Sequence, residues 1–149
     1  MKRRSFPIAF LLAVMALFFS SCANMSAKKP ALKNTRWVCV QQMFVADAGT
    51  MTETYTLTFT SGKDCLWKQE WVLPAHPAMY MNPDGTVDRI PESRSESVSQ
   101  ATWKISRNTI TLQFEDGTRK TFLYEKGRLT GASPFGGEMV FEQRTEDTQ

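Results

Sequence analysis

Apolar and polar residues alternate along most of this chain. In Thr54-Tyr55-Thr56-Leu57-Thr58-Phe59-Thr60, Tyr55, Leu57 and Phe59 fall on one side and the threonines on the other. A period of two marks a strand with one buried face. Further on, Cys65, Trp67, Gln69 and Trp71 alternate with Leu66, Lys68 and Glu70. Ala101, Trp103 and Ile105 alternate with polar residues, as do Ile110, Leu112 and Phe114. A strand from Trp37 to about Val45 opens the series. Lys120–Tyr124, Arg128–Ala132 and Met139–Phe141 close it. Ser61-Gly62-Lys63, Arg107-Asn108, Asp116-Gly117 and Glu125-Lys126-Gly127 carry the chemistry of tight turns. The pattern predicts an all-β domain of about eight strands, with no amphipathic helix.

Each such strand must hide one face. An open sheet without helices leaves that face wet and its edges unpaired, and closure removes both problems. The expected fold is therefore a single antiparallel meander β-barrel over residues 32–144. A barrel of this size is either filled by side chains or holds one small ligand.

The amino terminus obeys a different rule. Lys2, Arg3 and Arg4 precede an almost wholly apolar run from Phe6 to Phe19, and Ser20-Ser21-Cys22 follows. The run is shorter than the roughly 20 residues of a membrane-spanning helix and fits a secretory signal. Phe19–Cys22 resembles the lipobox of bacterial lipoproteins, which are cut before the cysteine. That resemblance implies a signal peptide at 1–21, an acylated Cys22 and attachment to a membrane through its acyl chains. Residues 22–31 read as a flexible polar tether, and 145–149 as a disordered tail. No acidic run follows Cys22, which favours an anchor on the outer membrane facing the periplasm.

Charge then excludes one class of partner. The chain holds 18 Lys+Arg and 15 Asp+Glu, but removal of the signal leaves 15 of each. A neutral mature chain has no general attraction to polyanions, whether nucleic acid or an anionic membrane.

The segments Leu32-Lys33-Asn34-Thr35-Arg36-Trp37, Tyr55–Gly62, Thr102-Trp103-Lys104-Ile105, Asn108–Leu112 and Met139-Val140-Phe141 resemble small lipocalin-like lipoproteins of Bacteroidetes-type bacteria. The likeness implies a lipocalin-like barrel at the cell envelope. It implies no particular activity.

In a meander, alternate connections share one end of the barrel. Here Ala46–Thr52, Leu73–Ser95 and Ser133–Gly137 are the expected long connections, all at one end, with tight turns at the other. Pro83–Ser99 reads as the mobile part of the longest loop, with its last residues as a possible start of the fourth strand. Functional residues concentrate on such loops. Met51, Leu73, Pro74, Met79, Tyr80, Met81, Pro134 and Phe135 make this end apolar. The expected site is a non-catalytic pocket for a small apolar or amphipathic ligand. Its candidate residues are Trp37, Trp67, Trp71, Met79, Tyr80, Met81, Trp103, Phe122 and Phe135. The alternative is a filled barrel that docks on another envelope protein through the same loops.

His76, Met79 and Met81 form a third candidate, because imidazole and thioether ligands suit Cu(I). Their spacing resembles the Met-x-Met and His of periplasmic copper chaperones, but no second cluster supports it. No cofactor is otherwise expected. The chain lacks the nucleophile, metalloprotease and phosphate-loop motifs, so no enzyme is expected. Cys39 and Cys65 fall on the first and third strands. Two strand spacings are about 9–10 Å, beyond the roughly 7 Å a disulfide spans, so buried free thiols are favoured, with a disulfide as the alternative if a bulge or another register brings the two closer.

Overall fold

The computed structural model describes residues 30–145. The expected signal peptide, Cys22, most of the tether and all but the first residue of the tail lie outside the described residues. Ten strands are present: β1 (Thr35–Val45), β2 (Gly49–Phe59), β3 (Asp64–Leu73), β4 (His76–Pro77), β5 (Arg89–Ile90), β6 (Ser93–Ser106), β7 (Thr109–Phe114), β8 (Arg119–Glu125), β9 (Arg128–Ala132) and β10 (Glu138–Arg144). β4 and β5 form a separate ribbon. The other eight close into a barrel in the cyclic order β1, β2, β3, β6, β7, β8, β9, β10. Every pairing is antiparallel, and β10 returns to β1. The all-β meander barrel expected from the alternation is the fold of the chain.

Side chains fill the lower interior. Trp67 lies at its centre, with ring centroids 5.3 Å from Tyr55, 6.1 Å from Phe122 and from Phe141, and 6.4 Å from Phe114. Leu57, Ile110, Leu112, Leu129 and Phe141 are buried around this cluster, and Leu32 is buried with them. Each large apolar side chain removed from water contributes about 1.5–3 kcal/mol. Every barrel strand supplies at least one buried core residue, so residues 30–145 hold a complete core of their own. The Thr35 hydroxyl donates to the Leu32 carbonyl and accepts the Trp37 indole N–H at 2.8 Å. The base is thereby tied to the first strand.

Two elements differ from expectation. The first long connection shrinks to Ala46–Ala48, because β1 and β2 remain paired as far as Val45 and Gly49. Asp47 at φ 64° and Gly49 at φ 89° make this turn. Met51 therefore lies on a strand. Pro83–Ser99 is not a single loop either: β5 occupies Arg89–Ile90, and β6 begins at Ser93 and pairs with β3 throughout. Residues Ser93–Gln100 are exposed on both faces. They bury no apolar side, so period-two hydrophobicity could not mark them. Of the expected connections, Ser133–Gly137 has the bounds the sequence indicates, and the one between β3 and β6 is the longest.

The first prediction concerns Gly131. A Cβ there would lie 2.7 Å from Cδ1 and 2.9 Å from Cε1 of Phe122, a ring buried in the core. Gly131→Ala is expected to destabilise the barrel by about 1–3 kcal/mol, as overpacking does. Urea unfolding measures it.

A second prediction concerns the cysteines. Cys39 and Cys65 are free and buried. Burial pushes the Cys65 thiol up to about 12 from 9.0, against a smaller opposing pull from the Thr58 backbone. Burial likewise raises Cys39. Between pH 9 and 12 the unfolded chain has lost the Cys65 proton that the folded chain keeps. Stability is expected to fall as pH rises through that window. In folded protein at about pH 8, neither thiol should react with a maleimide, because little thiolate is present. Unfolding should release two.

Candidate functional site at the barrel mouth

The eight strands are unequal. β1, β2, β3 and β6 each run 10 residues or more, whereas β7 to β10 run 7 or fewer. β6 pairs with β7 only from Ala101 onward, and β1 pairs with β10 only over Arg36–Val38. Four strands therefore stand above a lower wall. Their inner faces form a trough over the filled core.

Register orders the residues of this trough. At the core level Trp37, Leu57, Trp67 and Ser99 are in line across the four strands. Above them run Cys39, Tyr55, Gln69 and Ser97, and then Gln41, Glu53, Trp71 and Ser95. Met43 and Met51 face each other beyond that, with Leu73 near the end of β3. The inner face thus reads apolar core, polar belt, apolar rim.

The belt residues of β2 are buried and incompletely paired, while those of β6 are exposed. Glu53 is only 3% exposed and Tyr55 only 1%. Gln69 Nε2 donates to Glu53 Oε1 at 2.5 Å. Glu53 Oε2 and the Tyr55 hydroxyl have no hydrogen-bond partner of good geometry among the described residues. Burial raises the Tyr55 phenol, and the neighbouring Glu53 carboxylate adds to that shift. An unmade buried hydrogen bond costs about 1–3 kcal/mol, so the belt stores unused polar capacity.

An open groove of about 360 Å³ lies on the lower wall, between β8 and the turn after β9. Lys120, Phe122, Ser133, Pro134 and Met139 line it. Ser133 Oγ donates to Gln41 Oε1 at 3.1 Å, and Gln41 is the register partner of Glu53. Lys120 Nζ sits 4.8 Å from the centre of the Trp67 ring. The Ser133–Gln41 hydrogen bond thus links the groove wall to the belt.

The structure spreads the sequence-derived candidates widely. Trp37 and Trp67 are core residues, and Trp103 packs against the core with an unpartnered indole N–H. Phe122 belongs to both the core and the groove wall. Trp71 is half-buried on the trough. Met79, Tyr80 and Met81 are exposed between β4 and β5, and Phe135 is exposed in the β9–β10 turn. His76 lies on β4, with Nδ1 3.0 Å from the Pro74 carbonyl oxygen. Among the described residues no group of three or more His, Cys, Asp or Glu side chains is placed to hold a metal ion.

Glu53, Gln69, Gln41 and Lys120 were missed as site residues. A signal for Glu53 existed: continuing the phase of Tyr55, Leu57 and Phe59 backward places Glu53 and Met51 inside. In comparisons with known proteins, no family, no curated protein and no solved structure matched the chain.

If the belt is under-satisfied, Tyr55→Phe should remove a buried hydroxyl without cost. Its stability is expected to equal or exceed the parent's, with a gain of up to about 1–3 kcal/mol. Gln69→Leu, which strips Glu53 of its one partner, should destabilise by a similar amount. Paired urea titrations check both signs.

Proposed function

We propose that the chain is a non-catalytic binding protein for a small amphipathic molecule, held at the barrel mouth. The observation that carries this reading is the polar belt set between apolar surfaces. Glu53 Oε2 and the Tyr55 hydroxyl there have no hydrogen bond of good geometry among the described residues, and a groove of about 360 Å³ lies on the facing wall, linked to the belt through Ser133 and Gln41. Small-molecule sites commonly measure about 300–1,000 Å³ and combine apolar walls with a few placed polar groups. The apolar part of the ligand lies along Met43, Met51, Trp71 and Leu73. Its polar end turns toward Glu53, Gln41 and Lys120. The ligand rests on the filled core rather than inside the barrel. In the same proposal the acylated Cys22 anchors the protein to the outer membrane on its periplasmic side, as the amino-terminal sequence implies.

A second reading has its own support. Met79, Tyr80 and Met81 are 80%, 65% and 68% exposed, and the core beneath them is filled. Clustered exposed apolar residues commonly mark a protein contact. In that reading the β4–β5 ribbon docks on another envelope protein.

The two readings separate in one experiment. The barrel from Pro30 onward is titrated with dodecylamine, dodecanoic acid and dodecanol, and tryptophan fluorescence is followed. Ligand binding predicts a saturable change with at least one probe. Trp71→Ala or Lys120→Ala should weaken it about tenfold, equivalent to about 1.4 kcal/mol. Met79→Ser with Met81→Ser should leave it unaltered. No saturable change with any probe, and no small molecule retained in native mass spectrometry, would rule out the ligand reading.

A further inference from the structure

The opposite end of the barrel carries a feature that the mouth does not use. An open groove of about 640 Å³ lies where β1 begins and β10 ends. Arg36, Arg144, Asn34, Gln143, Thr58 and Ser61 are among its lining residues, and among the described residues no acidic side chain lines it. Its described walls thus offer guanidinium, carboxamide and hydroxyl donors without a competing carboxylate.

The two arginines are unusually placed. Arg36 and Arg144 are direct cross-strand partners at the seam that closes the barrel. Side chains directly opposite in an antiparallel pair share one face, and like charges so placed destabilise a sheet. Neither arginine has an acidic partner within salt-bridge distance among the described residues. The nearby Glu142 is engaged by Arg128 at 3.3 Å. Thr58 stands directly opposite Arg36 on the other side. Two planar guanidinium groups, with hydroxyls beside them, match the geometry of an oxyanion that accepts several hydrogen bonds. Such an anion would also convert the repulsion at the seam into a bridge.

We infer that this groove binds a phosphate-type oxyanion between Arg36 and Arg144. Inorganic phosphate and a phospholipid headgroup present the same chemistry. The groove lies at the end where the chain enters the barrel, with Asn34 and Thr35 in its wall. An anchor preceding residue 30 would hold this end toward the lipid surface. The inference is independent of the ligand at the mouth.

The test uses the barrel from Pro30 to Gln149 with Arg36→Gln, Arg144→Gln and the double variant. Arg89→Gln, in the ribbon at the other end, controls for net charge. One arm adds inorganic phosphate against chloride at matched ionic strength and follows the melting temperature. The other floats the protein with phosphatidylglycerol vesicles, using phosphatidylcholine vesicles as the neutral control. Phosphate should raise the melting temperature of the parent and of Arg89→Gln. The double variant should lose that rise, with affinity down at least about tenfold. Without phosphate, Arg144→Gln should melt above the parent, because the like-charged pair is gone. Binding in the phosphate arm alone identifies a free anion, and binding to vesicles alone a headgroup. Either supports the inference when it depends on Arg36 and Arg144. Equal responses of parent and double variant in both arms, or an equal loss in Arg89→Gln, would overturn it.

Discussion

The barrel is closed by a short seam. β1 meets β10 through three residue pairs, Arg36 with Arg144, Trp37 with Gln143 and Val38 with Glu142. Without this contact the first and last strands would each present an unpaired edge. The seam is sufficient because its middle pair lies against the core, where Trp37 is buried and its ring meets Tyr124 at 6.1 Å. Its brevity also shapes both ends. Above Val38 the two strands separate and the mouth opens. Below it, the register places two arginines directly opposite each other.

A filled interior follows from the same size constraint. A barrel of eight strands has room for side chains or for one small molecule, and here aromatic rings take the room. Small residues accommodate the large ones. Ala101 lies between Cys65 and Phe114, while Gly131 admits the Phe122 ring. Such packing leaves little freedom at the core level. Any molecule bound at the mouth would therefore meet the chain above Trp67, where the belt residues face one another across the long strands. The outer face of these strands is also held in register. Lys68 reaches Glu96 across the β3–β6 pair at 3.0 Å and Glu70 at 3.3 Å. Both contacts are exposed and contribute little individually. Only the Lys68–Glu96 contact crosses between strands, and it offsets the direct pairing of Glu70 with Glu96 in a stretch where no apolar face sets the register.

The fold was legible wherever burial imposed alternation. Tyr55-Leu57-Phe59 and Ile110-Leu112-Phe114 sit on the inner face as their spacing requires. The turns at Asp116-Gly117 and Lys126-Gly127 also fell where the residue types place them, with both glycines at positive φ. What failed to show was strand beyond the core. Ser93–Gln100 has solvent on both faces, and Gln41 and Glu53 are polar residues at inward positions. Neither stretch presents the contrast that period-two reading depends on. The site was hidden for the same reason. Aromatic residues attract attention as pocket linings, yet Trp37 and Trp67 are the core itself. The less conspicuous Glu53 and Gln69 make the mouth chemically distinctive.

The uneven strand lengths give the two ends different surfaces from one framework. A barrel of equal strands would have a symmetric rim, closed by turns and lined by whatever caps the core. Here the extra length of β1, β2, β3 and β6 places polar groups beyond the point where the other wall stops. Tyr55 and Gln69 are adjacent in register, and the Gln69 carboxamide is committed to Glu53. The Tyr55 hydroxyl is then left without an equivalent partner. Burying polar groups in this state is unfavourable for folding alone, since an apolar pair of similar shape would pack without that penalty. A molecule bound at the level where the wall is open would offer this belt the hydrogen bonds it lacks among the described residues. Binding would recover hydrogen-bond energy that folding leaves unused.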